Sequence, residues 1–216
     1  ILATFRMLGA CAPQTVPTKT KTVVQASSLT PLGACPASSW RPEAPPPSAS
    51  AKESMVLLAL QEWFRFGRQT IDFTQPGEPK VEILGVQETN APINDYWKRV
   101  NRPNLTGLDT EVPWSAAFIS WDIGSAGLSH DLFCPDARHT IYVERIVLRE
   151  KRPGAAFMAH HVDARAPQVG DLLCAARDGG GTSLENLNRG PGHCDIVVEV
   201  RPGKVHAIGG NVHDSV

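Results

Sequence analysis

The feature that most restricts the fold is a pair of alternating segments near the C-terminus, HCDIVVEV and VHAIGGNV, joined by RPGK. Successive side chains of a strand point to opposite faces, so alternation of this kind is typical of a half-buried strand. The apolar face of the first segment would consist of Cys194, Ile196, Val198 and Val200. The Pro-Gly turn between the segments predicts an antiparallel hairpin over residues 192–212.

Helical periodicity precedes this hairpin. Residues 50–67 predict a helix capped by Ser50 or Ser54 and stopped by Gly67, and APINDYWKRVN predicts a second helix. The apolar side of the first helix would consist of Val56, Leu57, Leu60 and Phe64, and that of the second would consist of Ile93, Tyr96, Trp97 and Val100. A further helix is predicted around DARHTIYVERIVLRE and a strand in PQVGDLLCAAR. Helices followed by antiparallel strands indicate an α+β fold.

The stretch PWSAAFISWDIGSAG predicts the central helix of the domain. Its apolar stripe would consist of Ala116, Ile119, Ile123 and Ala126. Gly127 would end the helix, and Ser115 would lie in its first turn. Backbone N–H groups there have no partner within the helix, and the helix dipole is positive at that end.

The N-terminal 50 residues have a different character. ILATFRMLGAC resembles the end of a lipoprotein signal, which predicts lipidation at Cys11, and residues 12–50 are rich in Pro, Ser, Thr and Ala, as in a semi-extended linker. Arg6 interrupts the apolar stretch, and LGAC recurs at 32–35, so a disordered leader is the alternative. We expect residues 1–50 to form a truncated signal and linker, and residues 51–216 to form one domain truncated at its C-terminus.

Composition excludes some classes of protein. The net charge of -1 and the lack of a basic stripe argue against a nucleic-acid partner. No apolar run approaches the roughly 20 residues that span a bilayer. Three of the five cysteines belong to the predicted domain and cannot all pair with one another, so we expect no disulfide scaffold. We expect Cys174 and Cys194 to be core residues.

Four residues could together hydrolyse an amide. Such a reaction needs a nucleophile, a base, a group that orients the base, and donors for the oxyanion. Ser115 is the candidate nucleophile at a helix N-terminus, and His193 is the candidate base at the start of a strand. Asn211, on the following strand, would orient the imidazole, and Asp195, on the same face as His193, is the alternative orienting group.

Each candidate also has a purely structural explanation. Ser115 could serve only as a helix cap, and His193 and Asn211 could be polar residues at a strand end and a turn. The HHVD stretch at 160–163 contains potential metal ligands, but adjacent histidines diverge on a regular element, so no metal or other cofactor is expected. His139 and Tyr142, three residues apart, are interpreted as a groove wall or a surface pair.

The residues from about 83 to 216 resemble the papain-like hydrolases that include the CHAP and NlpC-type peptidoglycan amidases. The resemblance lies in PWSAAFISWDIGSAG, APQVGDLLCAAR and GHCDIVVEVRPGKVHAIGGNV. The whole chain also resembles an uncharacterised bacterial domain family whose members are often lipoproteins. The resemblance implies a helix bearing position 115 packed on a small antiparallel sheet that carries the histidine. Ser115 stands where the hydrolases have a nucleophilic cysteine.

These features together predict an envelope hydrolase that is anchored to the membrane by lipid and cuts an amide or peptide bond of peptidoglycan. Ser115, His193 and Asn211 would form its catalytic group. A binding module that keeps the same cleft without cutting is the alternative, and a purely structural lipoprotein is a third. The distance between Ser115 Oγ and His193 would distinguish the enzyme from the binding module.

Overall fold

The computed structural model describes residues 2–6, 35, 50–74, 92–150, 153–177 and 190–216. Its helices are α1 (Ala51–Arg65), α2 (Pro92–Arg99), α3 (Ser115–Ser125) and α4 (His139–Arg149). Its strands are β1 (Leu2–Arg6), β2 (Thr70–Asp72), β3 (Leu172–Ala176), β4 (Gly192–Arg201) and β5 (Lys204–Ile208). The helices lie mostly before the antiparallel strands in the chain, which confirms the predicted α+β class. No helix in the described ranges has the length and apolarity needed to cross a membrane.

The first helix begins as predicted but buries a different face. Ser50 caps α1, its Oγ accepting from the Glu53 N–H while the Glu53 carboxylate accepts from the Ser50 N–H. The face turned to the core carries Ser54, Met55, Ala59 and Glu62. Leu57 and Phe64 are 49% and 62% exposed, so the predicted apolar side of this helix is wrong. Glu62 can lie inside because the Tyr96 hydroxyl donates to it and Arg65 pairs with it at 2.8 Å.

The helix α3 lies at the centre of the fold. Ten of its eleven residues are buried, and it packs against α1, α2 and β4. The aromatic rings around its first two turns contact one another with centroids 5.4 to 5.7 Å apart and belong to Phe66, Tyr96, Trp114 and Phe118. The predicted stripe and the predicted stop are both confirmed, since Gly127 follows the helix with φ +95°. A helix enclosed on so many sides holds the groups at its N-terminus in fixed positions.

The strands form one sheet in the order β2-β1-β5-β4-β3. The pairs β3–β4, β4–β5 and β1–β5 are antiparallel, and β1–β2 is parallel. The hairpin β4–β5 is confirmed, with Ile196 opposite Ile208 and joined to α3 in the core. The strand β1 lies in the segment for which the sequence predicts a leader. Cys11 and most of the predicted linker lie outside the described residues.

A β-bulge changes which side chains of β4 are buried. Val197 pairs with Ala207 and Glu199 pairs with His206, so Val198 is an extra residue between the two pairs. Beyond a bulge the two faces of a strand exchange. Val200 lies on the face opposite to Ile196 and is 39% exposed, so the prediction that it points into the core is wrong. Ile196 is fully buried, as predicted, and Val198 is partly buried against the core.

Four cysteines are paired in two disulfides, contrary to the sequence expectation. Cys35 bonds to Cys134, 99 residues further along the chain, and Cys174 bonds to Cys194 opposite it on the neighbouring strand. The expectation is wrong because Cys35 lies in the predicted leader, so that the predicted domain alone contains an odd number of cysteines. Cys194 is buried as expected, whereas Cys174 is exposed. A cross-link closing about 100 residues stabilises a fold by roughly 4 to 5 kcal/mol in the chain-entropy account.

Candidate functional site

Ser115 is the first residue of α3. The first backbone hydrogen bond of the helix runs from the Phe118 N–H to the Trp114 carbonyl at 3.0 Å, and Trp114 supplies no side-chain cap. The N–H groups of the first helical turn therefore lack acceptors within the helix. They lie at the positive end of the helix dipole, beside the Ser115 hydroxyl. This arrangement can stabilise negative charge on an oxygen that binds next to Ser115.

The Ser115 hydroxyl is hydrogen-bonded to a histidine from another helix. Ser115 Oγ lies 2.6 Å from His139 Nε2, and His139 Nδ1 lies 2.5 Å from the Tyr142 hydroxyl. His139 begins α4 and Tyr142 follows three residues later, so both side chains lie on one face of this helix. Ser115, His139 and Tyr142 are 4%, 5% and 0% exposed. A hydroxyl, an imidazole and a phenol are thus aligned in a chain away from solvent, the order in which a hydrolase needs a nucleophile, a base and a group that orients the base.

The position of the imidazole proton decides what this chain can do. Ser115 can give its proton to His139 only if Nε2 is bare, which places the ring proton on Nδ1. The Nδ1–H then donates to the Tyr142 oxygen. Burial raises the pKa of Tyr142 well above its ordinary value, so the phenol stays neutral and acts as an oriented dipole. The opposite tautomer would donate from Nε2 to Ser115 and could not take up its proton.

The charge state of His139 suits a base at neutral pH. Burial, followed by the charges of His193 and Arg177, holds the pKa of His139 well below its ordinary value. The ring is therefore neutral at pH 7 and below, with a lone pair free to accept a proton. The same low pKa makes the protonated ring a strong acid, which favours rapid return of the proton to a leaving group.

A second histidine lies next to His139. The centroids of the His139 and His193 rings are 5.2 Å apart. Arg177 Nη2 lies 3.1 Å from His193 Nδ1, and His193 Nε2 lies 2.9 Å from Asp195 Oδ1. Because a guanidinium can only donate, Nδ1 is the acceptor and Nε2–H donates to the carboxylate. The predicted residues His193 and Asp195 are thus brought together, whereas the hydrogen-bond partner of Ser115 is His139.

Gly209 allows the His193–Asp195 pair to lie tightly against β5. A Cβ atom at this position would lie 1.9 Å from Asp195 Oδ1 and 2.9 Å from His193 Nε2. Contacts below 3.0 Å are not tolerated, so a side chain here would displace the carboxylate from the imidazole. The Gly-Gly pair that precedes Asn211 in the sequence therefore has a packing role at the site.

Asn211 holds the start of α3 rather than an imidazole. With its amide oriented to satisfy both neighbours, its oxygen accepts from the Trp114 N–H at 3.1 Å and its nitrogen donates to Asp214 at 3.2 Å. Its φ of +56° is in the left-handed region, which asparagine tolerates better than most residues. Asn211 also lines a small cavity of about 390 Å³ together with His193 and Asp195. The predicted orienting role of Asn211 has no hydrogen bond to support it among the described residues.

A larger cavity is lined by both histidines. It has a volume of about 820 Å³, and its wall includes His139, His193 and the disulfide of Cys174 and Cys194. Gly192, the first residue of β4, also belongs to this wall, and a Cβ atom there would lie 3.2 Å from Thr140 Cγ2. Ser115 is not among the wall residues but is hydrogen-bonded to His139, which is, and 4% of its surface is exposed. We call this space the large cavity.

Sequence reasoning missed His139 and Tyr142 as site residues. It interpreted them as a groove wall or a surface pair, and His139 does contribute to the wall of the large cavity. The surface interpretation is wrong, because both side chains are buried. A sequence signal was present in the i, i+3 spacing of the two residues, but nothing in the sequence placed this helix against Ser115. The HHVD stretch is exposed, and the described residues hold no group of three or more metal-binding side chains.

The lowered pKa of His139 predicts a loss of stability in mild acid. The unfolded chain binds a proton at His139 below about pH 6.5, whereas the folded chain does not until a lower pH. Stability is therefore complete above this pH and falls as the pH decreases from it, by up to about 1.4 kcal/mol per pH unit. Denaturant unfolding between pH 5 and 8 should show that stability falls more steeply with decreasing pH in the wild type than in His139→Gln.

Two buried acids make a matched comparison necessary. Burial raises the pKa of Glu62 and of Asp122, so both gain stability on protonation and act in the opposite direction. Both acids are present in the wild type and in His139→Gln, so their effect on the pH dependence of stability cancels when the slopes of the two proteins are subtracted. His160→Gln, at an exposed position, should retain the wild-type slope. Equal slopes in the wild type and in His139→Gln would contradict a buried neutral His139.

Comparison with known proteins identifies a family. The family model described as "Uncharacterized protein conserved in bacteria (DUF2272)" matches residues 93–216. This range includes Ser115, both histidines and the hairpin. Searches of curated proteins and of solved structures found no match. Since the matched region is more than half of the 216 residues, the chain belongs to the bacterial DUF2272 family.

Proposed function

We propose that the domain is a serine hydrolase that cleaves an amide or ester bond, with Ser115 as nucleophile and His139 as base. The observation that carries the proposal is the 2.6 Å hydrogen bond between Ser115 Oγ and His139 Nε2 at the N-terminus of a buried helix. A serine hydroxyl is a weak nucleophile unless a base takes its proton during attack. His139 is in place to do so, and Tyr142 orients it.

The first half of the reaction would acylate the serine. Ser115 Oγ attacks the substrate carbonyl carbon while its proton passes to His139 Nε2, and the carbonyl π electrons move to the oxygen. N–H groups at the start of α3 stabilise this oxyanion, a contribution of about 10² to 10³ in rate for one donor in other hydrolases. The tetrahedral intermediate then collapses, the bond to the leaving group breaks, and His139 returns the proton to the departing nitrogen or oxygen.

The second half would release the acid. A water molecule gives a proton to His139 Nε2 and attacks the acyl carbon, and collapse of the second intermediate frees Ser115 Oγ, which regains its proton from His139. His193 lies on the same cavity wall, with its ring set by Asp195 and Arg177. In this account His193 contacts the leaving group and helps to orient it.

The substrate class is proposed on the resemblance to CHAP and NlpC-type enzymes, which act on peptidoglycan peptides. Ser115 replaces their cysteine, and a serine with a well-placed histidine hydrolyses amides on other folds. An envelope location is supported by the two disulfides, since such bonds persist in oxidising compartments such as the bacterial periplasm. Lipid anchoring through Cys11 stays a prediction from the sequence.

A binding module is the second candidate, and the burial of Ser115 favours it. A substrate can reach a nucleophile with 4% of its surface exposed only if the residues around His139 move. In a binding module the Ser115–His139–Tyr142 chain would instead fix the floor of a groove that holds an envelope peptide without cutting it.

Digestion of purified peptidoglycan separates the two candidates. The full chain and its Ser115→Ala variant are incubated with peptidoglycan, and the soluble fragments and the retained protein are both measured by mass spectrometry. The hydrolase predicts new peptide fragments with the wild type and none with Ser115→Ala. Equal retention of both proteins on peptidoglycan without new fragments would support the binding module.

A further inference from the structure

The large cavity is continuous with the proposed catalytic group. His139 and His193 form part of its wall, so a molecule in this space lies directly beside the groups that would carry out the reaction. Aromatic contacts also link the cavity wall to Tyr142. The ring centroid of Phe157, on the wall, lies 5.9 Å from that of Phe133, and the ring centroid of Phe133 lies 5.4 Å from that of Tyr142. The shape of the cavity is thus coupled by packing to the residue that orients His139.

The wall of this cavity is mainly apolar. Its large apolar side chains come from the start of α1, from the connection between α3 and α4, from α4 and from residues 155–162, and include Met55, Leu132, Val143, Ile146, Phe157 and Met158. Leu132 is 41% and Met158 is 69% exposed, although a soluble domain usually buries side chains of this size. An occupant that covers them would be stabilised by about 25 cal/mol for each Å² of apolar surface removed from water.

The wall carries few charged residues. Lys52 pairs with Asp171 at 2.8 Å, and Arg165 donates to Gln168 at 2.8 Å. Thr140, His160 and His161 are further polar residues of the wall outside the catalytic group. Because charged groups are a small part of the wall, a substrate with several carboxylates would meet mostly apolar side chains here. An uncharged apolar group is better matched to these side chains.

The volume also fits a sizeable ligand. Pockets that bind small molecules commonly have about 300 to 1,000 Å³ and are lined mostly by apolar side chains with a few polar groups. The large cavity has about 820 Å³ and matches both criteria. This is more space than an acetyl group or an alanine side chain requires.

We propose that the large cavity binds the apolar acyl chain of the substrate, so that the scissile carbonyl belongs to a medium- or long-chain fatty acyl ester or amide. The inference rests on the proposed function and narrows the bond that is cleaved from amides and esters in general to those whose acyl part is a fatty acyl chain. The carbonyl would lie at Ser115 and the chain would extend past His139 along α4 towards Met158.

The test measures how hydrolysis depends on chain length. The full chain is assayed with p-nitrophenyl acetate, butyrate, octanoate and decanoate. We expect kcat/KM for octanoate to exceed that for acetate by at least about tenfold, since each buried methylene adds to transition-state binding. Met158→Glu should reduce this octanoate-to-acetate ratio by at least about tenfold, because it places a charge against the chain. A ratio near one in the wild type, or an unchanged ratio in Met158→Glu, would overturn the inference.

Two further arms separate this inference from the proposed function. Leu108→Glu changes an equally exposed leucine outside the cavity wall and should leave the ratio unchanged. If neither an ester nor peptidoglycan is hydrolysed, the proposed function fails, and binding of the fluorescent fatty acid cis-parinaric acid to Ser115→Ala tests the large cavity on its own. Saturable binding that Met158→Glu abolishes supports the inference, and absence of binding overturns it. Cleavage of peptidoglycan without any preference for long acyl chains would sustain the proposed function and overturn the inference.

Discussion

Replacing Ser115 by alanine should lower kcat/KM for hydrolysis by at least about 10³-fold, and His139→Ala should do the same. The first variant removes the nucleophile, and the second removes the only imidazole bonded to it among the described residues. The double variant should lose little more than either single one, because the two residues act as one unit. Steady-state kinetics on the best ester or amide, with circular dichroism to confirm folding, provides the measurement.

His193→Ala is the informative control for this prediction. His193 is bonded to Asp195 and Arg177, so in our account it assists the leaving group and its loss should cost less than that of His139. Tyr142→Phe keeps the ring and removes only the oxygen that orients His139, and it should reduce kcat more than it changes KM. A larger loss for His193→Ala than for His139→Ala would assign the base to His193, as the sequence alone suggested.

Ile196→Asp should leave the domain unfolded at 25 °C. Ile196 is fully buried in β4, where it packs with α3 and lies opposite Ile208. An unpaired carboxylate in this position loses the apolar contacts and its hydration, at a cost of about 5 kcal/mol or more, which is comparable with the whole stability of a domain. Chemical denaturation followed by circular dichroism, or the loss of soluble protein, measures the effect.

Val200→Asp provides the matched control, since it makes the same change four residues further along the same strand. Val200 is 39% exposed beyond the bulge at Val198, so the free energy of unfolding should change by about 1 kcal/mol or less. The reverse order of effects would show that the bulge is absent and that the alternation seen in the sequence continues through the strand.

The hairpin and the central helix could be predicted because their patterns are local. Alternation over residues 193–200 and the Pro-Gly turn specify two paired strands, and the small apolar stripe after Pro113 specifies a helix. Glycine at 127 marks the end of that helix, since only a left-handed conformation fits there. Ser115 could be placed at the helix start for the same reason.

Features that depend on tertiary contacts could not be read from the sequence. The buried face of α1 contains Glu62, whose neutralising partners Tyr96 and Arg65 are known only from the fold. The bulge in β4 leaves the alternation unbroken in the sequence and so hides the exposure of Val200. His139 reaches Ser115 only through the packing of α4, from 24 positions away in the chain.

Covalent labelling of Ser115 tests the central claim most directly. The full chain is treated with an alkyl fluorophosphonate, which loses fluoride when an activated serine oxygen attacks its phosphorus, and the protein is analysed by intact mass and peptide mapping. We predict one adduct per chain, located on Ser115, absent from Ser115→Ala and slowed by at least about 100-fold in His139→Ala. An unlabelled Ser115, under conditions that fully label a known serine hydrolase, would contradict the account.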